Sequence, residues 1–354
     1  MNYGWTKTDD FLNPKRILVR TPNWLGDVLM ATAFLDALLT IFPKVPIDLI
    51  VRQGFEVLPL PVRGEIIPFD RKVISPGAFG RKLWNPGGQQ SNEKGSLPQP
   101  PNYSHFFVLP PSFSAAWMAY RSRIPYRMGY RGDGRGWLLH PGMRHTHTPR
   151  SVHLVREYLD LLQPWGQASE QTQPRLAADE AWILQHLPSS LAESDPYIVL
   201  APGAEFGPAK QWPVTHFQAA AKTLAQAGWR VVVTGLPQDR GHGDTILAGV
   251  KDGLNLCGET SLQGLTALLG QAELVISNDS GAMHLTAALH RPQVALFGSS
   301  NPVWTAPLNP QAHILTQGLT CSPCYKRTCP LGHTRCLTEI TPDEVTSAAM
   351  TLLS

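Results

Sequence analysis

Residues 273–300 (ELVISNDSGAMHLTAALHRPQVALFGSS) restrict the possible folds more than any other stretch of this chain. Leu274–Ser277 is an apolar run of strand type, Ala282–Leu289 is a short helix rich in Ala and Leu, and Gln293–Phe297 is a second buried strand. The tetrapeptide NDSG between the first strand and the helix is typical of a tight turn. This order predicts a βαβ unit with parallel strands, and therefore an α/β protein.

The turn Asn278–Gly281 is a candidate ligand site, because turns at the carboxyl edge of open α/β sheets bind ligands. The start of the following helix offers N–H groups up to about His284 and the positive end of a helix dipole, which suit a phosphate. The alternative is that Asp279 or Ser280 merely caps the helix. A functional Asp279 should accept hydrogen bonds from sugar hydroxyls, since a carboxylate repels a phosphate.

Length and composition indicate a globular protein of two domains. The chain has 354 residues, of which 43% are hydrophobic and 16% charged, with a formal charge of +3. No window approaches 18 apolar residues, and the N-terminus lacks the basic and apolar regions of a signal peptide. We therefore expect a cytoplasmic protein without a membrane span. In that compartment its five cysteines are expected to be reduced or bound to metal.

The N-terminal part of the chain also begins with a strand, a loop and a helix. Arg16–Arg20 is a strand, a helix begins at Asp27 and continues to about Phe42, and Ile47–Val51 is the next strand. Asp27 is thus expected at a helix start that faces the carboxyl edge of the first sheet. The alternative to a functional role is a carboxylate that simply favours the helix dipole.

Two stretches without periodicity interrupt the predicted elements. Residues 75–104, rich in Pro, Gly, Gln, Asn and Ser, predict a long flexible loop or insertion. A second stretch around residues 162–195 contains one helical piece, Asp179–Leu187. The predicted organisation is an N-terminal domain at 1–170, a linker at 171–195, and a C-terminal domain at 196–354 whose last helix is a candidate for crossing back to the first domain.

Nearly all charged side chains in residues 105–156 are positive. They contain eight arginines, no lysine and one acid, Asp133, with Trp and Tyr residues between the arginines. Such a segment attracts anions, and arginine binds carboxylate and phosphate with two parallel hydrogen bonds. A solvated surface and a nucleic-acid-binding stripe are the alternatives. The segment therefore predicts anionic partners and nothing finer.

The second half repeats the alternation of strands and helices. After a strand at Tyr197–Ala201, the loop PGAEFGPAKQWP carries Lys210 to the sheet edge that also holds Asp279. A loop lysine is usually solvated, but this one is placed to reach a phosphate. Two doubly wound domains facing a central cleft follow from this pattern. The remaining predicted elements are a helix at Thr215–Ala227 closed by Gly228, a strand at Trp229–Thr234, a strand at Asn255–Cys257, and a helix at Ser261–Leu269 closed by Gly270.

Four cysteines lie close together near the C-terminus: Cys321, Cys324, Cys329 and Cys336. Four soft ligands at short spacing could hold a structural zinc ion. The spacing is not that of a zinc ribbon, because no second CxxC pair is present. Packed reduced thiols, a metal site, and disulfide or redox chemistry therefore all remain open.

Six segments together resemble a known family. They are RILVRTPNWLGDVLMATAFLDAL (16–38), IPYRMGYRG (124–132), PGAEFGPAKQWP (202–213), NDSGAMHLTAAL (278–289), VALFGSSNP (294–302) and CSPCYKRTCPLGH (321–333). In these segments, over nearly its whole length, the chain resembles the ADP-heptose:lipopolysaccharide heptosyltransferases, the inverting glycosyltransferases of family 9. The resemblance is strongest to the heptosyltransferase II branch, which adds the second heptose of the inner core.

The resemblance implies a GT-B fold, with ADP-heptose on the C-terminal domain and an anionic lipopolysaccharide-core acceptor at the membrane surface on the N-terminal domain. It implies Asp27 as the catalytic base and Lys210 as a catalytic phosphate ligand. The further donor-binding candidates are Gly203, Gly235, Asp239, Asn278, Asp279, Ser280, Gly281, Ala282 and His284. The acceptor-binding candidates are Asn23, Trp24, Gly26, Ser112, Arg127 and Arg131.

No cofactor beyond the donor is expected. The chain contains no DxD motif, so a metal-bridged diphosphate is not indicated, and the charge of the leaving group is expected to fall on Lys210 and backbone N–H groups. The alternatives are a related GT-B enzyme that uses another nucleotide sugar, or a nucleotide-sugar epimerase of similar fold. A third is a protein that binds nucleic acid or other anions and holds a structural metal in its cysteine cluster.

Overall fold

The computed structural model describes residues 8–84, 103–166, 173–191 and 195–354. The chain divides into two compact units, one of residues 1–56 and 61–172, the other of residues 57–60 and 173–354. Each unit contains a parallel sheet, and helices lie in most of the connections between its strands. The α/β fold class predicted from the sequence is confirmed.

The first unit is built on a six-stranded parallel sheet with the strand order β3-β2-β1-β4-β5-β6. Its strands are β1 (Ile17–Arg20), β2 (Ile47–Arg52), β3 (Ile66–Phe69), β4 (His105–Val108), β5 (Tyr126–Tyr130) and β6 (Gly142–Met143). Its helices are α1 (Asp9–Leu12), α2 (Leu25–Ile41), α3 (Pro76–Trp84), α4 (Phe113–Arg121) and α5 (Leu154–Asp160). The strands β1 and β4 are buried at every position, and all their residues except Arg20 and His105 are apolar.

The second unit has the order β12-β11-β10-β7-β8-β9, again parallel. Its strands are β7 (Tyr197–Ala201), β8 (Arg230–Val233), β9 (Leu254–Asn255), β10 (Leu274–Asn278), β11 (Gln293–Phe297) and β12 (Ala312–Thr316). Its helices are α6 (Glu180–His186), α7 (Val214–Gln226), α8 (Arg240–Leu247), α9 (Leu262–Gln271), α10 (Gly281–Ala288), α11 (Pro302–Thr305), α12 (Arg335–Thr338) and α13 (Pro342–Leu353).

The strand order reverses once in each sheet. In the first sheet β1 lies between β2 and β4, and in the second sheet β7 lies between β8 and β10. The loops that leave two such strands at their carboxyl ends diverge to opposite faces and open a crevice, where doubly wound sheets bind ligands. Asp27 lies in the first turn of α2, which follows β1, and Lys210 lies in the loop after β7, so each residue lies at the switch point of its own unit.

Two helix predictions were wrong. The predicted loop at 75–104 begins instead with α3, capped by Ser75, whose hydroxyl accepts the Ala78 N–H at 3.3 Å; residues 85–102 lie outside the described residues. A Cβ atom at Gly80 would lie 2.2 Å from the Met118 carbonyl oxygen, so this glycine permits close contact between α3 and α4. Gly270 does not end α9 but is buried against Ile183 of α6. Both glycines serve helix packing.

The segment predicted as a linker contains α6, which packs against α9 of the second unit. The last helix, α13, begins with the capping box of Thr341 and Glu344 and packs on α7, β10 and β11 of the same unit. Val345 and Ala349 of this helix are fully buried in that unit's core.

Within the described residues, no helix is both long and apolar enough to cross a membrane.

Candidate active site

Lys210 and Asp279 lie 69 residues apart in the sequence and form an ion pair in the second unit. Lys210 ends a short 3₁₀ turn, Pro208–Lys210, in the loop after β7, and Asp279 follows β10. The Asp279 carboxylate also accepts a hydrogen bond from the Ser300 hydroxyl, which follows β11. The Asp279 side chain is 5% exposed and that of Lys210 is 18% exposed, so the ammonium group retains access to a ligand.

Asn278 fixes the loop that carries Lys210. Its Oδ1 accepts the Trp212 N–H at 2.9 Å, and its Nδ2 donates to the Pro202 carbonyl at 2.7 Å. The side chain is fully buried, so both ends of the amide bind the protein itself. The Trp212 indole N–H in turn donates to the Ile340 carbonyl at 2.9 Å, which attaches the end of the loop to the core. A direct contact of Asn278 with a donor stays a prediction.

The start of α10 is open to an anion. Ser280 is its N-cap residue but makes no side-chain capping bond, and its buried hydroxyl oxygen has no hydrogen-bond partner. Gly281 and Ala282 form the first two helical positions, while His284 is buried in the next turn. The buried hydroxyl of Ser299, beyond β11, also lacks a partner. A polar ligand would satisfy these groups, and the helix dipole would favour a negative charge.

Three further donor-binding candidates meet at the carboxyl ends of β7 and β8. The buried Asp239 carboxylate accepts the Leu236 N–H at 2.9 Å through Oδ2. A Cβ atom at Gly203 would lie 2.6 Å from that oxygen, and one at Gly235 would lie 2.9 Å from it. Both glycines therefore make room for Asp239. Burial, with a smaller contribution from the Asp239 charge, raises the pKa of the Cys257 thiol to about 12.

In the first unit, Asp27 occupies the first turn of α2, which begins two residues before it, at Leu25. Trp24 is the N-cap residue, makes no side-chain capping bond and is 47% exposed. Gly26 lies within the first turn, where it leaves the backbone accessible. Tyr158 of α5 lies close to Asp27: burial chiefly, and then the Asp27 charge, hold the pKa of this phenol well above its ordinary value. Tyr158 therefore stays a neutral phenol beside the carboxylate.

The sequence prediction missed Arg20, a buried cation at the carboxyl end of β1. Its guanidinium donates to the Thr21 carbonyl at 2.9 Å, to the Ile50 carbonyl at 3.1 Å, and to Asn23 Oδ1 at 2.5 Å. Burial lowers its pKa to about 10, so it remains charged at neutral pH. Arg20 thus orients Asn23, an acceptor-binding candidate. An arginine ending the buried strand ILVR was the available signal, because a buried charge must be hydrogen-bonded.

The structure separates the other acceptor-binding candidates. The Arg127 guanidinium is bound by the carbonyls of Leu138, at 2.8 Å, and Ile124, at 2.6 Å, so it stabilises its own loop. Arg131 is exposed and lies along Gly136 and Gly142. Ser112 caps α4 by accepting the Ala115 N–H at 3.3 Å. Roles of all three toward an acceptor stay predictions.

A second cation, Arg327, lies beside the loop that carries Lys210 and was also missed. The Lys210 ammonium and the Arg327 guanidinium each lie 5.2 Å from the centre of the Phe206 ring. The Arg327 carbonyl accepts the Ala209 N–H at 3.0 Å, which fixes the two loops to each other. The only sequence signal was the pair of basic residues inside the cysteine cluster, and that signal does not specify a partner.

All four clustered cysteines are free thiols in the structure. Cys336 lies near the other three cysteines. Burial raises its pKa most, and the charges of these neighbours raise it further. Backbone N–H groups, that of Thr334 foremost, lower the pKa of Cys329. Across the described ranges, no group of three or more His, Cys, Asp or Glu side chains is arranged to hold a metal ion. Zinc at this cluster stays a prediction.

The second unit thus presents a lysine, an uncapped helix N-terminus and partnerless hydroxyls at one switch point. This combination suits a ligand that carries phosphate next to hydroxyl-bearing groups, such as a nucleotide sugar. The first unit presents a carboxylate, Asp27, at its own switch point. A carboxylate at this position can accept a proton from a hydroxyl group.

Comparison with known proteins identifies the family. The model of glycosyltransferase family 9 (heptosyltransferase) matches residues 100–335. Lipopolysaccharide heptosyltransferase 2 of Salmonella typhimurium is 32% identical, over 96% of this chain and 99% of its own. The Escherichia coli protein of the same name is also 32% identical, over 96% and 98%. The structure of E. coli ADP-heptose lps heptosyltransferase II superposes with a TM-score of 0.78 at 29% identity, covering 96% of this chain and 98% of that one. This chain therefore belongs to glycosyltransferase family 9, the heptosyltransferases, and is a glycosyltransferase with a GT-B fold.

Proposed function

We propose that this enzyme transfers L-glycero-D-manno-heptose from ADP-heptose to the inner-core heptose of a lipopolysaccharide precursor at a membrane surface. The observation that carries the proposal is the meeting of Lys210, Asp279 and the uncapped start of α10 at the switch point of the second sheet. The names of the two relatives at 32% identity support heptose as the sugar and lipopolysaccharide as the acceptor class.

The proposed reaction is a single displacement with inversion at the anomeric carbon. Asp27 accepts the proton of the acceptor hydroxyl as its oxygen forms a bond to C1 of the heptose. The bond between C1 and the β-phosphate oxygen of ADP breaks, and its electron pair remains on that oxygen. Lys210 and the N–H groups at the start of α10 stabilise the negative charge that develops there. The reaction requires no cofactor besides the donor.

In this proposal the ion pair of Lys210 and Asp279 rearranges when the donor binds. The Lys210 ammonium turns to the diphosphate, since a phosphate bears more charge than a single carboxylate. Asp279 retains the hydrogen bond from Ser300 and accepts hydroxyl groups of the sugar. The partnerless Ser280 hydroxyl is placed to donate to a phosphate oxygen.

The nature of the donor is tested by titration calorimetry with ADP-heptose, UDP-glucose and a CDP sugar, followed by transfer assays to inner-core oligosaccharide. ADP-heptose is expected to bind with at least tenfold the affinity of the other two, since a site whose polar groups match one nucleotide leaves some of them unpaired with another. Transfer from ADP-heptose should give a product of inverted anomeric configuration by NMR. Equal binding of UDP-glucose, or retention of configuration, would contradict the proposal.

The role of Asp27 is tested with Asp27→Asn, which is nearly isosteric but cannot accept the proton. We expect kcat to fall by at least about a thousandfold, within the range that general-base catalysis contributes together with positioning. The ADP-heptose affinity should remain within a factor of two or so, because the donor is held by the second unit. A parallel loss of donor affinity and of folded protein would instead make Asp27 a structural residue.

A further inference from the structure

An exposed aromatic stripe runs along α4 in the first unit. Phe113, Trp117 and Tyr120 follow the spacing i, i+4, i+7 and therefore lie on one face of the helix, while Ala115, Ala116, Met118 and Ala119 bury the opposite face. Phe113 is 46% exposed and Tyr120 is 42% exposed. Trp137, from the loop after β5, is 64% exposed and extends the stripe, with its ring centre 5.7 Å from that of Tyr120.

The stripe is well ordered by its own contacts. Trp117 and Tyr120 are stacked with their ring centres 5.6 Å apart. A Cβ atom at Gly77 of α3 would lie 2.5 Å from the Trp117 indole nitrogen, so α3 lies in close contact with this ring. Trp117 itself is half-buried against the core, whereas Phe113, Tyr120 and Trp137 are exposed. Several large aromatic side chains exposed close together mark an interaction site, whereas single exposed apolar residues do not.

The charge around the stripe is positive. The half-buried Arg121 guanidinium lies 5.3 Å from the Trp117 ring centre. That of Arg127 lies 5.8 Å from the Tyr120 ring centre but is held by backbone carbonyls, so it adds charge without being available to a partner. Arg81, beside the contact of Gly80 with α4, is exposed, as is Arg123. Of the eight arginines in segment 105–156, Arg135 is buried and Arg156 pairs with Asp160, so the positive charge beside the stripe comes chiefly from Arg81, Arg121 and Arg123. This surface therefore complements a partner that is anionic over an extended area.

We propose that this arginine-rimmed aromatic stripe docks the enzyme on a bilayer that contains anionic phospholipids. Trp and Tyr rings have an apolar body and a polar edge, and they partition to the interface between acyl chains and headgroups. Arginine guanidinium groups pair with lipid phosphates and add an attraction that depends on anionic lipid content. A bilayer offers both an apolar layer and an extended anionic layer at once, which matches the stripe and its rim.

The position of the stripe connects it to the reaction. Ser112, an acceptor-binding candidate, caps the helix whose next residue is Phe113, so the stripe begins at the sheet edge where the acceptor is expected. Docking there would bring that edge to the membrane surface. This connection rests on the proposed function, whereas the docking itself does not.

The test is cosedimentation of the full chain with vesicles of phosphatidylcholine alone or with an equal part of phosphatidylglycerol. The wild type is expected to bind the anionic vesicles and only weakly the neutral ones. Tyr120→Ser combined with Trp137→Ser should weaken binding on the order of tenfold. Arg81→Gln combined with Arg121→Gln should weaken it about fivefold for each arginine. Met350→Ser and Lys222→Gln, exposed positions in the second unit, serve as controls and should bind like the wild type.

A second readout separates docking from acceptor binding. The stripe variants should transfer heptose to a water-soluble core oligosaccharide at the wild-type rate, and more slowly to acceptor embedded in anionic vesicles. The proposal is overturned if the stripe variants bind vesicles as the wild type does, if they lose activity on the soluble acceptor, or if light scattering shows that they convert a dimer to a monomer. Vesicle binding without any heptose transfer would reject only the proposed reaction.

Discussion

The ion pair between Lys210 and Asp279 explains why two charged side chains can be largely removed from water. A buried carboxylate is costly unless it is paired and hydrogen-bonded, and Asp279 has both Lys210 and Ser300 as partners. The pair places a cation where a diphosphate is expected, while the protein without donor avoids an isolated buried charge. The contribution of Lys210 to stability and its proposed contribution to donor binding therefore differ, and substitutions can separate them.

We expect Lys210→Met to lower ADP affinity at least tenfold and the free energy of unfolding by about 2–3 kcal/mol, because Asp279 loses its cation. The double variant Lys210→Met with Asp279→Asn should regain most of the stability, since no unpaired carboxylate remains, but not the ADP affinity. Calorimetry with ADP and with adenosine, together with urea denaturation, measures both quantities. Adenosine binding should not change in either variant. Restored ADP binding in the double variant would show that Lys210 does not contact the phosphates.

The guanidinium of Arg327 and the ammonium of Lys210 lie at the same Phe206 ring, so Arg327 is expected to contribute positive charge to the proposed donor site. Arg327→Gln should weaken ADP binding about threefold to tenfold, as expected for one charge near an exposed site. The effect should diminish at high salt. Lys326→Gln, the neighbouring exposed cation on the same loop, provides the control. Equal effects of both substitutions would indicate a general loss of positive charge and no specific role for Arg327.

At the scale of structural elements, the cysteine-containing segment that follows β12 holds the loop after β7 in place. Gly207 has φ = +147°, and a Cβ atom there would lie 2.6 Å from the Arg327 carbonyl oxygen. The Tyr325 N–H donates to the Ser299 carbonyl at 2.8 Å, and the Ser322 hydroxyl donates to the Gly298 carbonyl at 2.5 Å. The cysteine segment thus braces two of the loops that form the proposed donor site.

Gly207→Ala is therefore expected to weaken ADP binding at least tenfold, because the backbone of one loop must move to admit the methyl group. Its free energy of unfolding should fall by about 1–3 kcal/mol. Gly241→Ala is the matched control: Gly241 lies in α8 with no atom within 4 Å of its added Cβ, so the change should be neutral or stabilise by up to about 1 kcal/mol. Wild-type ADP binding by Gly207→Ala would contradict the bracing role.

At the scale of the whole molecule, the free energy of unfolding is expected to depend on pH through one buried histidine of the first unit. His105 on β4 is completely buried, and its Nε2 lies 2.9 Å from the Phe11 carbonyl oxygen. Burial lowers its pKa to about 4 from the ordinary value of 6.5, so the folded state holds it neutral. The unfolded chain binds a proton more readily between these values. Neutral His105 therefore makes its full contribution to the free energy of unfolding above pH 6.5. This contribution is lost as the pH falls toward 4.

At pH 5 this linkage should cost about 2 kcal/mol relative to neutral pH. His105→Gln removes the titrating group, so its free energy of unfolding should depend less on pH over this interval, even if it is lower throughout. Urea denaturation at pH 7.5 and pH 5 measures the difference. His242→Gln, an exposed histidine of the second unit, should behave as the wild type does. Parallel pH dependence in wild type and His105→Gln would contradict the assignment.

The order of elements was readable because each follows from local physics. The short apolar runs of β1, β7, β10 and β11 favour buried strands, and NDSG between such a run and an Ala-rich helix favours a turn at a sheet edge. The family resemblance supplied the roles of Asp27 and Lys210. Predictions from glycine went wrong at Gly80 and Gly270, because a glycine that breaks an isolated helix can also be a contact surface for a neighbouring one.

The sequence by itself determined the α/β class, the two sheets and the edge on which the candidate ligands lie, since strand and helix periods and turn residues act over a few positions. Only the tertiary structure decided that Asn278 and Arg127 bind backbone carbonyl and N–H groups of their own units, and that Arg20 and Arg327 join the candidate site. Those outcomes depend on partners tens of residues away, and packing, which no local pattern records, brings the partners together.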